Sequence, residues 1–480
     1  MTLRRIDSRF LLPHPVRRAV VLPGIDGWEE ELERANVEVG SNGPEPLDLV
    51  VGPAERAAEA TALKPRGVIV EGRGGRGLAR AGFRRCAYLP LPKHFDPIVF
   101  VPLGEAAPAR YAVEQWAFAD SRLKQVRNRV LGALAGSGLL PPVRPEVVVA
   151  APNGQLPFVV RAAFEVGLPE DVRPLLLAGQ GDDYSRATFL LFEPRADEPS
   201  WALKFARLPV RLTSFEREKR GLELAQETGG VVAARAPRWL GSFEAEGLQC
   251  TLESAARGKP LVALLRSSPD RAGKERLVAR VCGWLLDVAR ETRAAPDALQ
   301  DKRRRLAEDV LPHWEVDPAL VDDLPDVPAV LQHNDVGSWN VVASGDGFTV
   351  LDWEDAVRHG LPLWDLFYFL ADAAAHLDGV TEPADRVAHF ERLFLGETQS
   401  SELLFSWTRT MVDALELPHE SVGRIATLCW LQHGLSGQRR AEGTQDPRPR
   451  AHVAHGVLRE LAQHWLEHPG LGTGWSRWAP

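Results

Sequence analysis

Short apolar runs alternate with helix-like stretches over the first part of the chain. The first three Val/Ile-rich runs are each followed by a segment with helical spacing of apolar residues, and the last two runs follow each other closely. The runs lie at 17–24, 47–53, 67–72, 84–92 and 96–103. Strand–helix alternation is typical of a parallel sheet covered by helices. We therefore expect an α/β, Rossmann-like domain over residues 1–150, with the last two strands as its antiparallel edge.

The pattern changes after a stretch rich in proline and glycine at 140–165, where we expect a domain boundary. Beyond it, strand-like runs separated by turns predict antiparallel pairs up to residue 255, interrupted by an amphipathic helix at 215–227. From Leu261 most segments have helical spacing, except for a predicted hairpin at 328–353. The expectation is an α+β, two-lobed domain. Its strand-rich lobe spans 165–255 and its helical lobe spans 256–480.

Composition narrows the class of partner. The chain of 480 residues has 57 Lys and Arg against 65 Asp and Glu, a net charge of −8, which argues against nucleic acid or an anionic membrane as the main partner. No apolar run approaches the length of a membrane span, so we expect a cytoplasmic protein without one. The four cysteines are widely scattered, and their spacing indicates neither a disulfide framework nor a zinc module.

The candidate chemistry lies in the predicted hairpin and the loop before it, where residues 331–356 read LQHNDVGSWNVVASGDGFTVLDWEDA. Asp335 could orient an acceptor hydroxyl and take its proton. Asn340 and Asp352 offer hard oxygen atoms, which suit Mg²⁺ better than zinc. Two strands that turn at Gly-Asp-Gly could bring Asn340 and Asp352 to the same end of the hairpin. These are parts that a phosphoryl-transfer site requires.

Further parts of such a site occur upstream in the expected order. Gly179 and Gly181 lie between two predicted strands, where backbone amides could approach phosphates. Lys204 lies within a predicted strand, where an unpaired buried ammonium would be costly. Its natural partner is Glu218 on the following helix, with Glu216 as the alternative.

An extended segment at 251–257 then leads to Gly-Lys-Pro at 258–260, where we expect the strand pattern to end. It suits a hinge between the two lobes, and the backbone groups from Glu253 to Ala255 are available there to an adenine ring.

The sequence over about 173–470 resembles the aminoglycoside phosphotransferase and choline kinase superfamily, which has a protein-kinase-like fold. The family's catalytic loop, H-G-D-x-x-x-x-N, reads HNDVGSWN here, and its metal motif, I-D-W-E, reads LDWE. The segment GLPLWDLFYF is similar to the family's G-x-P-x-x-D-L. Departures are Asn334 where glycine is usual and Ser338-Trp339 where Pro-Gly is common.

The resemblance implies a role for each candidate residue. Asp335 is then the catalytic base, while Asn340 and Asp352 bind Mg²⁺. Lys204 pairs with Glu218 and contacts the phosphates of ATP. His333 and Asp365 are expected to support the loop structurally.

The implied function is ATP- and Mg²⁺-dependent phosphorylation of a hydroxyl on a small-molecule acceptor, with a sugar or glycoside favoured. An aminoglycoside or an amino alcohol such as choline is the alternative, and acids such as Asp372, Glu416 and Glu420 could meet a cationic acceptor. A non-catalytic, nucleotide-binding scaffold is the competing class.

The N-terminal domain weakly resembles class I methyltransferases, and we expect a degenerate domain rather than a second active site. A glycine pattern follows its third strand, at Gly72, Gly74 and Gly77. Because a dinucleotide site uses the first strand-to-helix turn, we interpret this pattern as a plain loop. An active methyltransferase that binds S-adenosylmethionine remains the alternative.

Overall fold

A computed structural model describes most of the chain, and by its internal contacts the chain divides into two compact units. Unit 1 comprises Met1–Leu212 and Trp239–Arg257, and unit 2 comprises Thr213–Arg238 and Gly258–Pro480. The boundary predicted at 140–165 lies inside unit 1. The described residues are 5–40, 47–72, 76–91, 99–116, 122–137, 147–178, 186–207, 212–267, 270–345, 347–380, 382–435 and 457–473.

The described residues of unit 1 form one sheet of 12 strands. The strands are β1 (Arg18–Val21), β2 (Glu38–Val39), β3 (Leu49–Pro53), β4 (Gly67–Glu71), β5 (Phe83–Leu91), β6 (Val99–Pro102), β7 (Val147–Pro152), β8 (Arg173–Ala178), β9 (Arg186–Phe192), β10 (Trp201–Ala206), β11 (Trp239–Ala245) and β12 (Leu248–Ser254). Their order in the sheet is β11-β12-β10-β9-β8-β6-β5-β7-β4-β3-β1-β2. The predicted N-terminal domain and the predicted strand-rich lobe therefore contribute to one continuous sheet.

Among the strands that the structure describes, parallel pairing is confined to the first four. β1 pairs in parallel with β2 and β3, and β3 pairs in parallel with β4. β7 then lies antiparallel between β4 and β5, and β5 and β6 form the expected antiparallel pair. This pair is not an edge, because Phe100 of β6 is in register with Leu176 of β8. The prediction of an antiparallel edge was wrong at this point, since a sequence pattern does not reveal which later strand will extend a sheet.

Alternate residues of the strands face two sides of the sheet. Phe189 and Leu191 of β9 belong to a large apolar core that also contains residues of β1, β3, β10 and β12. Leu190 and Phe192 face the opposite side, where they pack in a second core with residues of β6. This two-residue period is what a strand buried on both faces requires.

Short helices and an N-terminal turn cover the sheet. The helices of unit 1 are α1 (Trp28–Arg34), α2 (Ala57–Ala62), α3 (Arg76–Arg80), α4 (Ala106–Tyr111), α5 (Arg122–Ser137) and α6 (Phe158–Glu165). A 3₁₀ helix at Arg5–Leu11 places Ile6 and Phe10 in the large core. Phe10 stacks on Phe205 of β10, with ring centroids 5.4 Å apart.

A buried ion pair fixes the same N-terminal turn to the end of β10. The guanidinium of Arg207 donates to both carboxylate oxygens of Asp7, at 2.9 and 3.2 Å from Nε and 2.6 Å from Nη2. Both side chains are fully buried. Arg9 donates in turn to the carbonyl oxygen of Arg207. The 3₁₀ helix at Arg5–Leu11 is thus fixed to the sheet.

Unit 2 is mostly helical. Its helices are α7 (Thr213–Thr228), α8 (Gly230–Ala233), α9 (Leu261–Ser267), α10 (Arg271–Glu291), α11 (Gln300–Arg305), α12 (Ala319–Asp322), α13 (Trp364–Leu377), α14 (Pro383–Phe394), α15 (Ser401–Leu415), α16 (His419–His433), α17 (Val457–Glu467) and α18 (Gly470–Thr473). α13 packs against α10, α14, α15 and α16. Of the helices formed by described residues, none is both long and apolar enough to cross a membrane.

Five short strands in the described part of unit 2 position the candidate site. They are β13 (Lys259–Pro260), β14 (Val330–Gln332), β15 (Val341–Ser344), β16 (Gly347–Val350) and β17 (Val357–Gly360). β13, β15 and β16 form one antiparallel sheet, and β14 pairs with β17 in another. The hairpin predicted at 328–353 therefore consists of β15 and β16, with β14 paired elsewhere.

Candidate active site

The β15–β16 hairpin brings two predicted metal ligands to one end. Its register pairs Val341 with Val350, so the residues just outside this pair lie at the open end of the hairpin. Asn340 precedes Val341, and its carbonyl oxygen accepts a hydrogen bond of 2.7 Å from the amide of Leu351. Asp352 follows Leu351 directly. The antiparallel register thus places Asn340 and Asp352 on neighbouring chain ends.

The loop before β15 holds the predicted catalytic base against Asn340. Nδ2 of Asn340 donates to Oδ2 and to the carbonyl oxygen of Asp335, each at 2.9 Å. The carbonyl oxygen of Asp335 also accepts from the amide of Gly337 at 2.9 Å. Since the amide nitrogen of Asn340 is used in this way, its Oδ1 is the atom left to act as a metal ligand. The loop therefore joins the base to one candidate ligand.

The buried side chain of His333 supports the loop. It is buried, its ring packs edge-on against Trp353 with centroids 4.6 Å apart, and its Nδ1 accepts from the amide of Asp335 at 3.2 Å. Burial lowers the pKa of His333 to about 4, against the opposing effect of the Asp352 charge. The ring is therefore neutral at neutral pH and carries its proton on Nε2. This arrangement fits the predicted structural role.

Asp365, in the first turn of α13, fixes the start of the same loop. Its two carboxylate oxygens accept from the amides of His333 and Asn334, at 2.7 and 2.8 Å. Burial raises the pKa of Asp365 to about 6, while these two amides and Lys302 favour the charged form. The contacts are those of a structural residue, as the sequence predicts for it.

Asn334 occupies the position where glycine is usual in the family that the sequence resembles. The backbone of Asn334 has φ +70°. A side chain is tolerated there because Asn adopts the left-handed region more readily than most residues. The side chain also makes contacts of its own: Nδ2 donates to the carbonyl oxygen of Asp355, and Oδ1 accepts from Gln332 and Gln432. The departure from glycine thus adds connections from the loop to the metal-motif turn and to α16.

Two glutamines in this network were not singled out from the sequence. Gln332 also accepts from the amide of Leu361 through Oε1. Gly360 makes room for it, since a Cβ there would lie 1.9 Å from that oxygen and 2.4 Å from the Cβ of Gln332. Gln432 comes from α16, about a hundred residues later. Of the two, only Gln332 could have been singled out from the sequence, because it lies next to His333 in the motif.

The C-terminal part of the loop is held by α13. Asp372 accepts from the amide of Ser338 at 2.8 Å and from Nη1 of Arg386 at 3.2 Å. Burial alone would raise the pKa of Asp372, but hydrogen bonds from His376 and Ser338 outweigh it and hold the pKa below its ordinary range. Asp372 is thus a charged anchor for the loop, a role that the sequence interpretation did not give it.

Asp352 begins the metal-motif turn in a left-handed conformation, with φ +64° and ψ +61°. Such a conformation is uncommon for a residue other than glycine, asparagine or aspartate, and it is concentrated at functional sites. The turn after it packs closely on α7: a Cβ on Gly221 would lie 1.8 Å from the carbonyl oxygen of Trp353. Arg217 of α7 forms an ion pair with Glu354 at 3.5 Å. Glu218 lies on the same helix and is buried.

Unit 1 contains the predicted ATP-binding residues. Lys204 lies on β10 in register with Thr251 of β12, and its Nζ forms an ion pair of 2.8 Å with Glu253. The carboxylate of Glu253 therefore faces the lysine, which sequence reasoning missed because it assigned only backbone groups of Glu253. The amide of Ala255 donates to the carbonyl oxygen of Ser200 at 3.0 Å.

Three other upstream expectations have no structural test. Gly179 and Gly181 lie outside the described residues. Glu218 belongs to unit 2 and Lys204 to unit 1, and their pairing stays a prediction. The glycine pattern of the N-terminal domain lies between β4 and the five-residue helix α3, and Gly74 within it is outside the described residues.

Comparison with known proteins identifies the family of the segment that carries this loop and hairpin. Residues 179–404 match the model of the phosphotransferase enzyme family. This segment belongs to that family. It is thus a member of the superfamily of aminoglycoside phosphotransferases and choline kinases, as its motifs indicated. No curated protein matches the chain.

Solved structures similar to the chain are distant in sequence. One from Ralstonia eutropha JMP134, described as an aminoglycoside phosphotransferase, is 13% identical, with 67% of this chain and 98% of that chain covered and a TM-score of 0.39. A choline/ethanolamine kinase family protein from Mesorhizobium loti is 14% identical, with 65% and 92% covered and a TM-score of 0.33. A glucosamine kinase in complex with glucosamine, ADP and inorganic phosphate is 11% identical, with 70% and 86% covered and a TM-score of 0.34.

The donor set of the phosphotransferase segment fits a hard divalent cation. The side-chain oxygen of Asn340 and the carboxylate of Asp352 are ligands of the kind that Mg²⁺ prefers. Mg²⁺ usually takes one or two carboxylates from the protein and completes its shell with water and substrate phosphates. Two candidate ligands at one end of a hairpin meet this requirement.

Proposed function

We propose that this phosphotransferase is an ATP- and Mg²⁺-dependent kinase that phosphorylates a hydroxyl group of a sugar or glycoside. The single observation that carries the proposal is the pair of hydrogen bonds from Asn340 to Asp335. They hold a carboxylate beside a candidate metal ligand, in a loop that Asp365 and Asp372 anchor from α13. A base fixed in this way is what in-line transfer to a hydroxyl needs.

In the proposed reaction the acceptor hydroxyl oxygen attacks the γ-phosphorus of ATP. The new O–P bond forms as the bond from that phosphorus to the β,γ-bridging oxygen breaks, and ADP leaves with the bonding electrons. The hydroxyl proton passes to the carboxylate of Asp335. The products are a phosphate monoester, ADP and a proton that Asp335 later releases to water.

The other residues have positioning roles in this proposal. Asn340 orients Asp335 through Nδ2 and offers Oδ1 to Mg²⁺, with Asp352 as the second ligand. Bound Mg²⁺ would neutralise charge that develops on the phosphate oxygens. The predicted roles of Lys204 as a phosphate-binding residue and of Glu218 as its partner belong to the same proposal.

Two of the acids that could meet a cationic acceptor already have partners within the protein. Asp372, one acid that could meet a cation, already accepts from Ser338 and Arg386. Glu416 forms an ion pair with Arg293 at 3.4 Å. Trp339, directly before Asn340, has 44% of its surface exposed, and an exposed indole face is suited to the apolar face of a sugar ring. These contacts support a sugar or glycoside.

A screen for ATP consumption with Mg²⁺ tests the proposal, with free sugars, glycosides, aminoglycosides and amino alcohols as acceptors. The expected result is turnover with a sugar or glycoside, identified by mass spectrometry as a phosphate monoester. The variant Asp352→Ala is expected to abolish it. Turnover only with amino alcohols or aminoglycosides would overturn the acceptor class, and full activity of Asp352→Ala would overturn the site.

Binding measurements separate the competing classes. A thermal shift with ATP that requires Mg²⁺ is expected for the kinase, whereas no shift at millimolar nucleotide would favour a scaffold. Saturable binding of S-adenosylmethionine would overturn the expectation that the methyltransferase-like domain is degenerate.

A further inference from the structure

Three side chains with metal-binding atoms meet on the outer side of the C-terminal helices. They are Glu391 of α14, His464 of α17 and His468, which follows α17 directly. One ligand atom from each lies within 4.8 Å of the others. Nε2 of His464 lies 3.1 Å from Oε2 of Glu391, and the two imidazole rings stack with centroids 4.0 Å apart. None of the three belongs to the loop or the hairpin of the candidate active site.

Helical spacing and one hydrogen bond orient the two histidines. The amide of His468 donates to the carbonyl oxygen of His464 at 3.1 Å, so the i, i+4 helical geometry extends to His468 and both rings lie on one face. Nδ1 of His468 lies 2.9 Å from the same carbonyl oxygen. If Nδ1–H donates there, Nε2 is left unprotonated with its lone pair outward. Histidine ligands of metals are commonly fixed by such a hydrogen bond from the other ring nitrogen.

We propose that Glu391, His464 and His468 form a zinc site. Two imidazole nitrogens and one carboxylate oxygen are a donor set that zinc accepts, with water in the fourth position. Ligand atoms around one tetrahedral zinc lie roughly 3.3 Å apart, so small side-chain rotations bring these atoms to the required spacing. The metal replaces the contact between His464 and Glu391 and links α17 to α14.

The site differs in chemistry from the candidate active site. Asn340 and Asp352 offer only oxygen atoms, which suit Mg²⁺, whereas imidazole nitrogen favours zinc. Because Glu391, His464 and His468 lie outside the loop and the hairpin, zinc binding is expected to leave phosphotransfer unchanged. The inference does not depend on the proposed function.

Zinc titration of the full-length chain tests the site. Purification tags are removed, bound metal is stripped with a chelator, and ZnCl₂ is titrated at about pH 7.5. Asp352→Asn serves as the parent chain, so that the candidate magnesium site contributes less. We expect one zinc per chain, lost or weakened at least tenfold in His468→Ala and in Glu391→Gln. His419→Ala, which removes an exposed histidine on α16, is the matched control and is expected to bind like its parent.

Thermal unfolding gives the second readout. Zinc is expected to raise the melting temperature of the parent and of His419→Ala, but not that of His468→Ala. Equal melting temperatures of all four chains in chelator would show that the substitutions leave the fold intact. Absence of zinc binding by the parent, or equal binding by parent and His468→Ala, would overturn the proposal.

Discussion

At the scale of the residue, Asp335 is held by its neighbours rather than by its own conformational preference. Its amide donates to His333, its carbonyl oxygen accepts from Gly337, and its carboxylate accepts from Asn340. The side chain is therefore oriented before any substrate binds, which lowers the entropic cost of reaching a reactive geometry. Asn340 is the residue that links this orientation to the metal-motif turn.

Replacement of Asp335 distinguishes an effect on the catalytic rate from an effect on nucleotide binding. Asp335→Asn keeps the shape of the side chain but removes the proposed base, so kcat is expected to fall by about 10²–10⁴-fold while the Kd of the nucleotide changes little. Steady-state kinetics and nucleotide titration measure the two effects. Asp413→Asn, at an exposed position on α15, is the matched control. A fall in kcat below tenfold would contradict the role of Asp335 as base.

Asn334 is expected to contribute through its side chain as well as its backbone. Asn334→Gly keeps the left-handed conformation and loses the contacts to Asp355, Gln332 and Gln432, at about 1 kcal/mol for each hydrogen bond lost. Asn334→Ala loses the same contacts and adds about 1 kcal/mol of backbone strain. Urea unfolding is expected to rank the chains wild type, glycine variant, alanine variant. A glycine variant as stable as wild type would show that the side-chain contacts are dispensable.

At the scale of the element, one carboxylate ties together several helices of unit 2. Asp378, at the end of α13, accepts from Arg271 of α10 at 2.9 Å and from Ser400, at the start of α15, at 2.8 Å. Nε2 of His389 on α14 lies 2.9 Å from its other oxygen. Burial alone would raise the pKa of Asp378, but the hydrogen bonds from His389, Ser400 and Arg271 outweigh it and lower the pKa to about 2.

This shift gives a pH-dependent prediction. Because the pKa is lower in the folded chain than the ordinary 3.8, the ionised group stabilises the fold above about pH 4 and loses this effect as the pH falls towards about 2. Asp378→Asn is expected to lower the free energy of unfolding by about 2 kcal/mol at neutral pH. The difference should shrink as the pH falls below about 4. Urea unfolding across this range measures it, with Asp413→Asn as control; a constant difference would contradict the assignment.

The candidate loop could be predicted from sequence because its residues are close along the chain and their spacing is restrictive. Asp335, Asn340 and Asp352 were singled out as candidates in this way, and the hairpin places the last two at the same end, as expected. Asp365 was predicted as a support of the loop, but Asp372, Gln432 and the carboxylate of Glu253 were not predicted in these roles. Asp372 and Gln432 reach the loop from helices that begin well after it, and Glu253 faces Lys204 only through the pairing of β10 with β12. Such contacts depend on tertiary packing, which spacing does not specify.

At the scale of the molecule, dependence on tertiary packing also explains why the sheet of unit 1 contains more strands than the sequence predicted for the N-terminal domain. Local patterns predicted most of its strands, but the pairing of β6 with β8 joins residues about 77 positions apart. The large core likewise combines Ile6 and Phe10 with Phe189 and Phe205. The buried pair of Asp7 and Arg207 adds a charged contact between residues 200 positions apart. Residues 1–150 and the strands that follow thus share one hydrophobic core.

A shared core predicts that the phosphotransferase segment does not fold stably without the residues before it. A chain of residues 151–480 would leave β8 without β6, remove the apolar residues of the first strands, and expose Arg207 without the carboxylate of Asp7. Removing one partner of a buried ion pair alone costs about 3–5 kcal/mol, a large part of the stability of a typical domain.

The shortened chain and the full-length chain are prepared in parallel. We expect the shortened chain to be insoluble, or to lack cooperative unfolding and ATP-dependent turnover. Calorimetry and the ATP-consumption assay measure both properties. A shortened chain that melts cooperatively at the full-length temperature would show that the strands of residues 165–255 form an independent lobe, because their share of the core would then suffice.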